Sequence, residues 1–175
     1  MKQNVRVLFV ANVAKEHVLK FHVPMIKKLT DLGWTVDVAC GGDEDIPYCS
    51  SQYKLAYTRA TVNINTFKGF KQVIDIVKEN EYDIIYCHTT VGGAAGRIAS
   101  IFSKNKNVKV VVRKEYYQFC YEKEKVTHGV LVKIGRGITR LCPQLYSFGY
   151  LYIPKDKNKP PILQLFRRAE LGGMN

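Results

Sequence analysis

Polar and glycine-containing stretches follow three of the predicted β-strands in this chain, at residues 12–17, 40–45 and 88–93. The strands are short runs rich in β-branched and aromatic residues, as expected of parallel strands that are buried on both faces. Ligands of open parallel sheets bind beyond the carboxyl ends of the strands. We therefore expect these three loops to lie together at one binding edge.

The third loop carries groups that can hydrogen-bond a sugar or a phosphate. His88 and Thr89 follow a buried strand directly, although a histidine at such a position can equally be a structural imidazole bonded to the backbone. Gly92 and Gly93 would let backbone N–H groups approach a phosphate or carboxylate at a helix N-terminus. Without a wider phosphate-binding motif, the same two glycines are also typical of a tight start to a close-packed helix.

The first two loops offer charged and imidazole side chains. Lys15 and His17 lie in the first loop and can contact a ligand. His22 shares the apolar stripe of the following helix, which favours a core or cleft-lining histidine over a catalytic one. The three consecutive acids at residues 43–45 resemble a metal or acid-base site, but acids in an exposed loop are usually solvated, and we predict no metal.

A β-α-β unit must position the first two loops. Its first strand is the apolar run at residues 5–10, and the helix that follows has apolar residues at spacings of three and four. Pro24 either kinks this helix or marks its true beginning, with residues 17–23 as a preceding turn. Gly33 ends the helix, and the next strand covers residues 34–39.

The rest of the pattern extends this unit. A helix with an N-cap at Asn65 or Thr66 is predicted to run to residue 79 and to bury a stripe that includes Phe67. Further elements are predicted, namely strands at 53–60, 83–87 and 108–112 and a small-residue helix at 92–103. This alternation predicts an α/β fold with a Rossmann-like, doubly wound parallel sheet.

The composition is that of a single globular domain. The chain has 175 residues, of which 46% are hydrophobic and 24% charged, enough for one sizeable core. It shows neither a long apolar run typical of a membrane-spanning helix nor the layout of a signal peptide. The five cysteines lack metal-ligand spacing, so we expect reduced structural thiols at Cys40, Cys49, Cys87, Cys120 and Cys142.

The formal net charge of +12 limits the possible partners. A basic surface can bind nucleic acid or the anionic cytoplasmic face of a membrane. The basic residues form neither a dense block nor an RNA-binding signature, so we predict no nucleic-acid partner. The expected location is the cytoplasm, with peripheral association at the inner membrane face as an option.

Residues 5–112 resemble the N-terminal domain of a known enzyme family. The resemblance rests on Phe9-Val10-Ala11, on Ala14 to His17, on Lys20 to Pro24, on Leu32 to Val36, on Gly42 to Pro47, on Asp83 to Thr90 and on Gly92-Gly93, in this order and spacing. These segments are similar to the family-4-like glycosyltransferases with two facing Rossmann-like domains, the GT-B architecture. The similarity is greatest to the branch that builds capsular polysaccharides and exopolysaccharides.

The resemblance implies a division of labour between two domains. In this family the N-terminal domain holds the acceptor, and the C-terminal domain binds the nucleotide-sugar donor through basic residues and two glutamates. Acceptor contacts are thereby implied for Lys15, His17, His88, Thr89, Gly92 and Gly93. The implied acceptor is a lipid-linked saccharide, and neither a cofactor nor an identified catalytic residue is implied for this chain.

The sequence departs from the family pattern at residue 113. A turn of the type Thr-Ala-His-Gly-Phe normally follows the last strand, whereas this chain has Arg113-Lys114-Glu115-Tyr116-Tyr117 and no replacement histidine. We therefore expect an acceptor-side domain at residues 1–112 and a divergent, irregular basic tail at 113–175. One reading of the tail is a frameshift near residues 112–132, which would leave a truncated enzyme that is inactive alone.

Two other functions remain open at this stage. A separate chain can supply the donor domain and so complete a split enzyme. Alternatively, the chain is a Rossmann-like, non-catalytic binding or regulatory module for an anionic ligand, with the basic tail facing a membrane. Turnover after addition of a donor-domain partner would distinguish the first from the second.

Overall fold

The computed structural model of the chain describes residues 4–58, 63–113 and 145–148. Six strands and three α-helices are formed by these residues. The strands are β1 (Arg6–Val13), β2 (Thr35–Gly41), β3 (Ser51–Lys54), β4 (Ile84–Cys87), β5 (Lys109–Arg113) and β6 (Leu145–Phe148). The helices are α1 (Val23–Asp31), α2 (Ile64–Glu79) and α3 (Thr89–Ile101), and a π-helical segment at Ala14–Leu19 precedes α1.

All strand pairs are parallel, in the order β3-β2-β1-β4-β5-β6. The chain therefore winds outward from β1 in one direction and then returns to continue on the other side of β1. This is the predicted Rossmann-like, doubly wound arrangement. Strand β6 lies in the segment predicted to be irregular. The sequence did not reveal it, because four residues are too few to show a periodicity. Apart from Arg113 in β5, the rest of that segment lies outside the described residues.

Two hydrophobic layers cover the sheet, and alternate residues of β1 point into them. One layer packs α1 and the π-helical segment on the sheet, with Phe9, Ile26, Leu29 and Tyr86 among its members. The other packs α2 and α3, with Leu8, Val10, Val73 and Ala95 among its members. No helix among the described residues is both long enough and apolar enough to cross a bilayer.

Local chemistry decides where α1 begins and ends. Pro24 occupies the first turn, where its missing N–H is not needed, so the helix begins there rather than being kinked. Gly33 follows the helix with a φ of +78°, a left-handed conformation that residues with a Cβ rarely adopt. The start of α1 agrees with the second alternative from the sequence, although a π-helical segment rather than only a turn precedes it, and the end at Gly33 is as predicted.

Helix α2 begins earlier than predicted. Its N-cap is Asn63, whose side chain accepts from the Thr66 backbone N–H while the Thr66 hydroxyl accepts from the Asn63 backbone N–H. Thr66 and Gly69 face the protein, and Phe67 is 68% exposed rather than part of the buried stripe. The strand predicted at residues 53–60 is also displaced and shorter, because β3 covers Ser51–Lys54.

A polar cluster closes the amino-terminal edge of the sheet. The buried Asp37 carboxylate accepts from the Arg6 guanidinium at 2.9 Å and from the Tyr82 hydroxyl at 2.8 Å. The same guanidinium donates to the Asn80 side chain and lies over the Tyr82 ring. These contacts connect β1, β2 and the segment that enters β4, so the cluster holds the central strands in register.

The buried cysteines provide a chemical test of this fold. Cys40 and Cys87 are free and buried, and burial raises the pKa of each thiol from 9.0 to about 12. We expect iodoacetamide at mildly alkaline pH to modify half-buried Cys49 before either of them, as measured by peptide mass mapping. Equal labelling of Cys87 in native and urea-unfolded protein would contradict the packing described here.

The same shifts give a pH dependence of stability. The folded protein keeps both thiol protons up to about pH 12, whereas the unfolded chain releases them near the ordinary value of 9.0. The folded state therefore binds more protons in this interval, and the free energy of unfolding should fall as the pH rises from 9.0 to about 12.

Candidate functional site

The switch in winding direction places the ends of β1 and β4 side by side. Residues Val7 to Val10 pair with Ile84 to Cys87, and the backbone N–H of His88 donates to the Val10 carbonyl at 2.8 Å. In doubly wound sheets the crevice beyond such a switch point is the usual place of a ligand. The first and third predicted loops therefore do lie at one edge.

A side-chain hydrogen bond joins these two strand ends. The Thr89 hydroxyl donates to the Asn12 side-chain oxygen at 2.8 Å and accepts from the Gly92 backbone N–H at 3.2 Å. The pairing of β1 with β2 shifts between Val10 and Val13, and this irregularity marks the stretch that holds Asn12. Thr89 has a φ of +66°, which is strained for a β-branched residue and is common at binding sites.

The two glycines of α3 permit close packing on the sheet. A Cβ on Gly92 would lie 2.9 Å from the carbonyl oxygen of Val10, and one on Gly93 would lie 3.0 Å from a methyl group of Val112. This packing accounts for the absence of side chains at both positions. Their predicted role in approaching a phosphate stays a prediction.

His88 lies inside the protein rather than in an open cleft. Its side chain is 1% exposed, and its ring centroid lies 3.6 Å from that of His22, which is equally buried. Tyr86 and Phe9 continue this aromatic cluster beneath the carboxyl edge. His22 thus occupies the core, as predicted, and His88 forms the inner wall of the site.

Lys15 and His17 project from the π-helical segment that follows β1. Lys15 is exposed and His17 is half-buried. The Nδ1 atom of His17 is buried and makes no hydrogen bond to any of the described residues. Both residues therefore lie at the expected edge, but the structure connects Thr89 to Asn12 rather than to either of them.

The second predicted loop, residues 40–45, approaches the first loop at Gly42. Gly42 has a φ of +111°, and a Cβ added there would lie 3.5 Å from that of Ala14, where the π-helical segment begins. Among the acids beyond it, the Asp43 side chain is 84% exposed and forms an ion pair with Lys54, Asp45 is exposed and Glu44 is half-buried. Within the described ranges no group of three or more potential ligands can hold a metal ion.

Asn12 is the site residue that sequence reasoning missed. The prediction placed Asn12 at the start of the first loop, residues 12–17, and assigned it no contact, whereas the structure includes it in β1 and its side chain accepts a hydrogen bond from Thr89. A signal was present, because an asparagine within an apolar strand needs a polar partner. The identity of that partner depends on which strand lies beside β1, and a sequence pattern does not specify it.

Residues 6–134 match the profile of the family described as glycosyl transferase 4-like. The chain belongs to that family. Over 115 residues it is 30% identical to EpsD of Bacillus subtilis (strain 168), a protein named as a glycosyltransferase. That match covers 66% of this chain and 30% of EpsD, so the chain spans about a third of the length of its relative.

Solved structures support the fold. A UDP-N-acetylglucosamine 2-epimerase structure matches 92% of this chain and 54% of its own, with a TM-score of 0.53 and 13% identity. MurG of Acinetobacter baumannii matches 75% of this chain and 39% of its own, with a TM-score of 0.44 and 12% identity. At 13% identity the epimerase match shows the fold alone, and the MurG match carries no argument.

The glycosyl transferase 4-like assignment confirms the family predicted from the sequence. The matched region continues beyond residue 112 and includes Arg113 to Tyr117, the stretch that departs from the expected histidine-containing turn. Residues 114–144 lie outside the described part of the chain. The division of the chain at residue 112 therefore stays a prediction.

Proposed function

We propose that this chain is the acceptor-side part of a glycosyltransferase of cell-surface polysaccharide synthesis. Its acceptor is a lipid-linked saccharide at the cytoplasmic membrane face, and the sugar comes from a nucleotide-sugar donor bound by another domain or chain. Membership of the glycosyl transferase 4-like family supports this proposal. The match to EpsD covers only 30% of that relative, so the activity of a whole enzyme is part of the proposal.

One observation carries the proposal, namely the hydrogen bond between Thr89 and Asn12. It ties together the ends of the two strands that flank the switch point and orients the first turn of α3. A preorganised helix N-terminus at this place suits a phosphate or diphosphate. A lipid-linked saccharide carries such a group between its lipid and its sugar.

The remaining candidate residues take complementary roles in this proposal. The first turn of α3 faces the phosphate groups, Gly92 and Gly93 hold that turn close to the sheet, and the Lys15 ammonium neutralises part of the phosphate charge. The half-buried His17 side chain contacts the saccharide part of the acceptor. His88 shapes the wall of the site from below.

Binding of a short-chain prenyl diphosphate saccharide to the full chain tests the proposal. By isothermal titration calorimetry we expect it to bind, whereas free UDP should not, because the donor site is proposed to lie elsewhere. The Thr89→Val variant should weaken binding of the saccharide about tenfold, the effect of losing a hydrogen bond that orders the site. Thr89→Ser should restore most of the affinity.

The competing ligands distinguish the remaining possibilities. If the diphosphate alone binds as tightly as its saccharide, the chain is a module for anionic ligands rather than an acceptor domain. If UDP binds and the prenyl diphosphate saccharide does not, the proposed division between acceptor and donor is wrong. Turnover after addition of a donor-domain chain would establish the split enzyme.

A further inference from the structure

The first two turns of α2 expose two large apolar side chains. Ile64 is 73% exposed and Phe67 is 68% exposed, the highest values among the large hydrophobic residues that the structure describes. Residues three positions apart share a helix face, so these two side chains are neighbours. Thr66 and Gly69 face inward on the opposite side of the helix, where Gly69 packs on Tyr57.

Two lysines flank this apolar pair. Lys68 and Lys71 follow Ile64 and Phe67 by four residues each, so they share the same face, and both are exposed. No acidic residue occurs from Ile64 to Lys71. We call these four residues, Ile64, Phe67, Lys68 and Lys71, the apolar-basic lip.

The lip stands at the same edge of the sheet as the candidate site. Helix α2 leads into the parallel strand β4, so it runs against the strand direction and begins at the carboxyl edge. Inside the second turn, Gly69 packs on the Tyr57 ring, and the Tyr57 carbonyl lies against Gly41 at the end of β2. These contacts connect the lip to the loops around the switch point.

We propose that the apolar-basic lip docks this protein on an anionic lipid bilayer. Aliphatic and aromatic side chains beside lysines suit the boundary between acyl chains and anionic headgroups, and the net charge of +12 favours the same surface. Four side chains are too few for a stable protein interface, which buries roughly 800 Å² on each partner. Binding to lipid is independent of the proposed function, whereas the approach to a membrane-borne acceptor rests on it.

Vesicle sedimentation of the full chain tests the docking surface. Phosphatidylcholine vesicles that contain phosphatidylglycerol should bind the protein, phosphatidylcholine alone should bind it weakly, and high salt should release it. The Ile64→Ser/Phe67→Ser variant should bind at least about tenfold more weakly, because the inserted apolar surface is lost. The Lys68→Glu/Lys71→Glu variant should lose at least about 30-fold in affinity, from roughly fivefold for each lysine removed and further repulsion of each added glutamate.

Matched controls lie at the opposite edge. Leu32 and Ile101 are each 50% exposed and stand at the ends of α1 and α3, so Leu32→Ser/Ile101→Ser removes comparable apolar surface away from the lip. Lys104→Glu/Lys106→Glu makes the same charge change beyond α3. Both controls should bind anionic vesicles like the unaltered chain, and circular dichroism verifies that each variant is folded.

Two results with folded variants would overturn the proposal outright, and a third would reassign the lip. Failure of the unaltered chain to bind anionic vesicles, or equal losses in lip and control variants, excludes the lip as the docking surface. If the serine variant is unfolded, the lysine pair decides alone. If the lip variants still bind vesicles but no longer associate with a donor-domain chain, the lip is a protein interface instead. These vesicles contain no saccharide. A failure to bind them therefore does not test acceptor recognition, which the calorimetric titration with the prenyl diphosphate saccharide measures.

Discussion

Replacement of Asp37 by alanine is expected to lower the free energy of unfolding by about 3 kcal/mol, the lower end of the range for a broken buried ion pair. The Asp37 carboxylate is fully buried, whereas its partner Arg6 has 34% of its side chain exposed. Water can therefore rehydrate the guanidinium in the variant and reduce the loss. The hydroxyl of Tyr82 would also lose its acceptor in a buried position. Urea unfolding measures the change.

A matched series separates the charge from the hydrogen bonds. Tyr82→Phe removes one donor to the Asp37 carboxylate and should cost about 1 kcal/mol. Asp37→Asn preserves the shape but not the charge, so its cost should lie between those of the other two variants. An Asp37→Ala variant that unfolds at the same urea concentration as the unaltered chain would show that the cluster contributes nothing to stability.

The architecture could be predicted because the local signals agree with one another. The apolar runs of β1, β2 and β4 and the amphipathic stripe of α1 indicate a parallel sheet, and Pro24 and Gly33 delimit the helix. The start of α2 could not be placed correctly, since Asn63, Asn65 and Thr66 are all plausible capping residues. Only the tertiary position of Gly69 against Tyr57 decides between them, and with it the exposure of Phe67.

The sequence predicted where the candidate site lies, but it did not predict which side chains contact each other there. The rule for parallel sheets correctly located the first and third loops at one edge. The bond between Asn12 and Thr89 joins residues 77 positions apart, so it depends on β1 and β4 being neighbours. The burial of His88 against His22 also arises only after the helix packs on the sheet.

Gly92→Ala is expected to destabilise the fold and to weaken binding of the prenyl diphosphate saccharide more than any other single change in α3. The added Cβ would lie 2.9 Å from the Val10 carbonyl oxygen, and this backbone atom cannot rotate away. Helix α3 must then move off β1, at a cost of about 2 kcal/mol. The shift also pulls Thr89 from Asn12 and disorders the first turn of the helix. Urea unfolding and calorimetric titration measure the two effects.

Gly93→Ala provides the matched control, because the two variants share the same gain in helix propensity of up to about 1 kcal/mol. Its Cβ would meet a methyl group of Val112 at 3.0 Å, and a side chain at the edge of the packing can yield by a few tenths of an ångström. We therefore expect a nearly unchanged stability and at most a small loss of affinity. If Gly92→Ala lowers stability but leaves the affinity intact, the glycine serves packing alone, and the ligand does not use the first turn of α3. If both alanine variants lose affinity equally while remaining stable, the ligand contacts the whole turn, and the close approach of Gly92 to β1 is not its decisive feature.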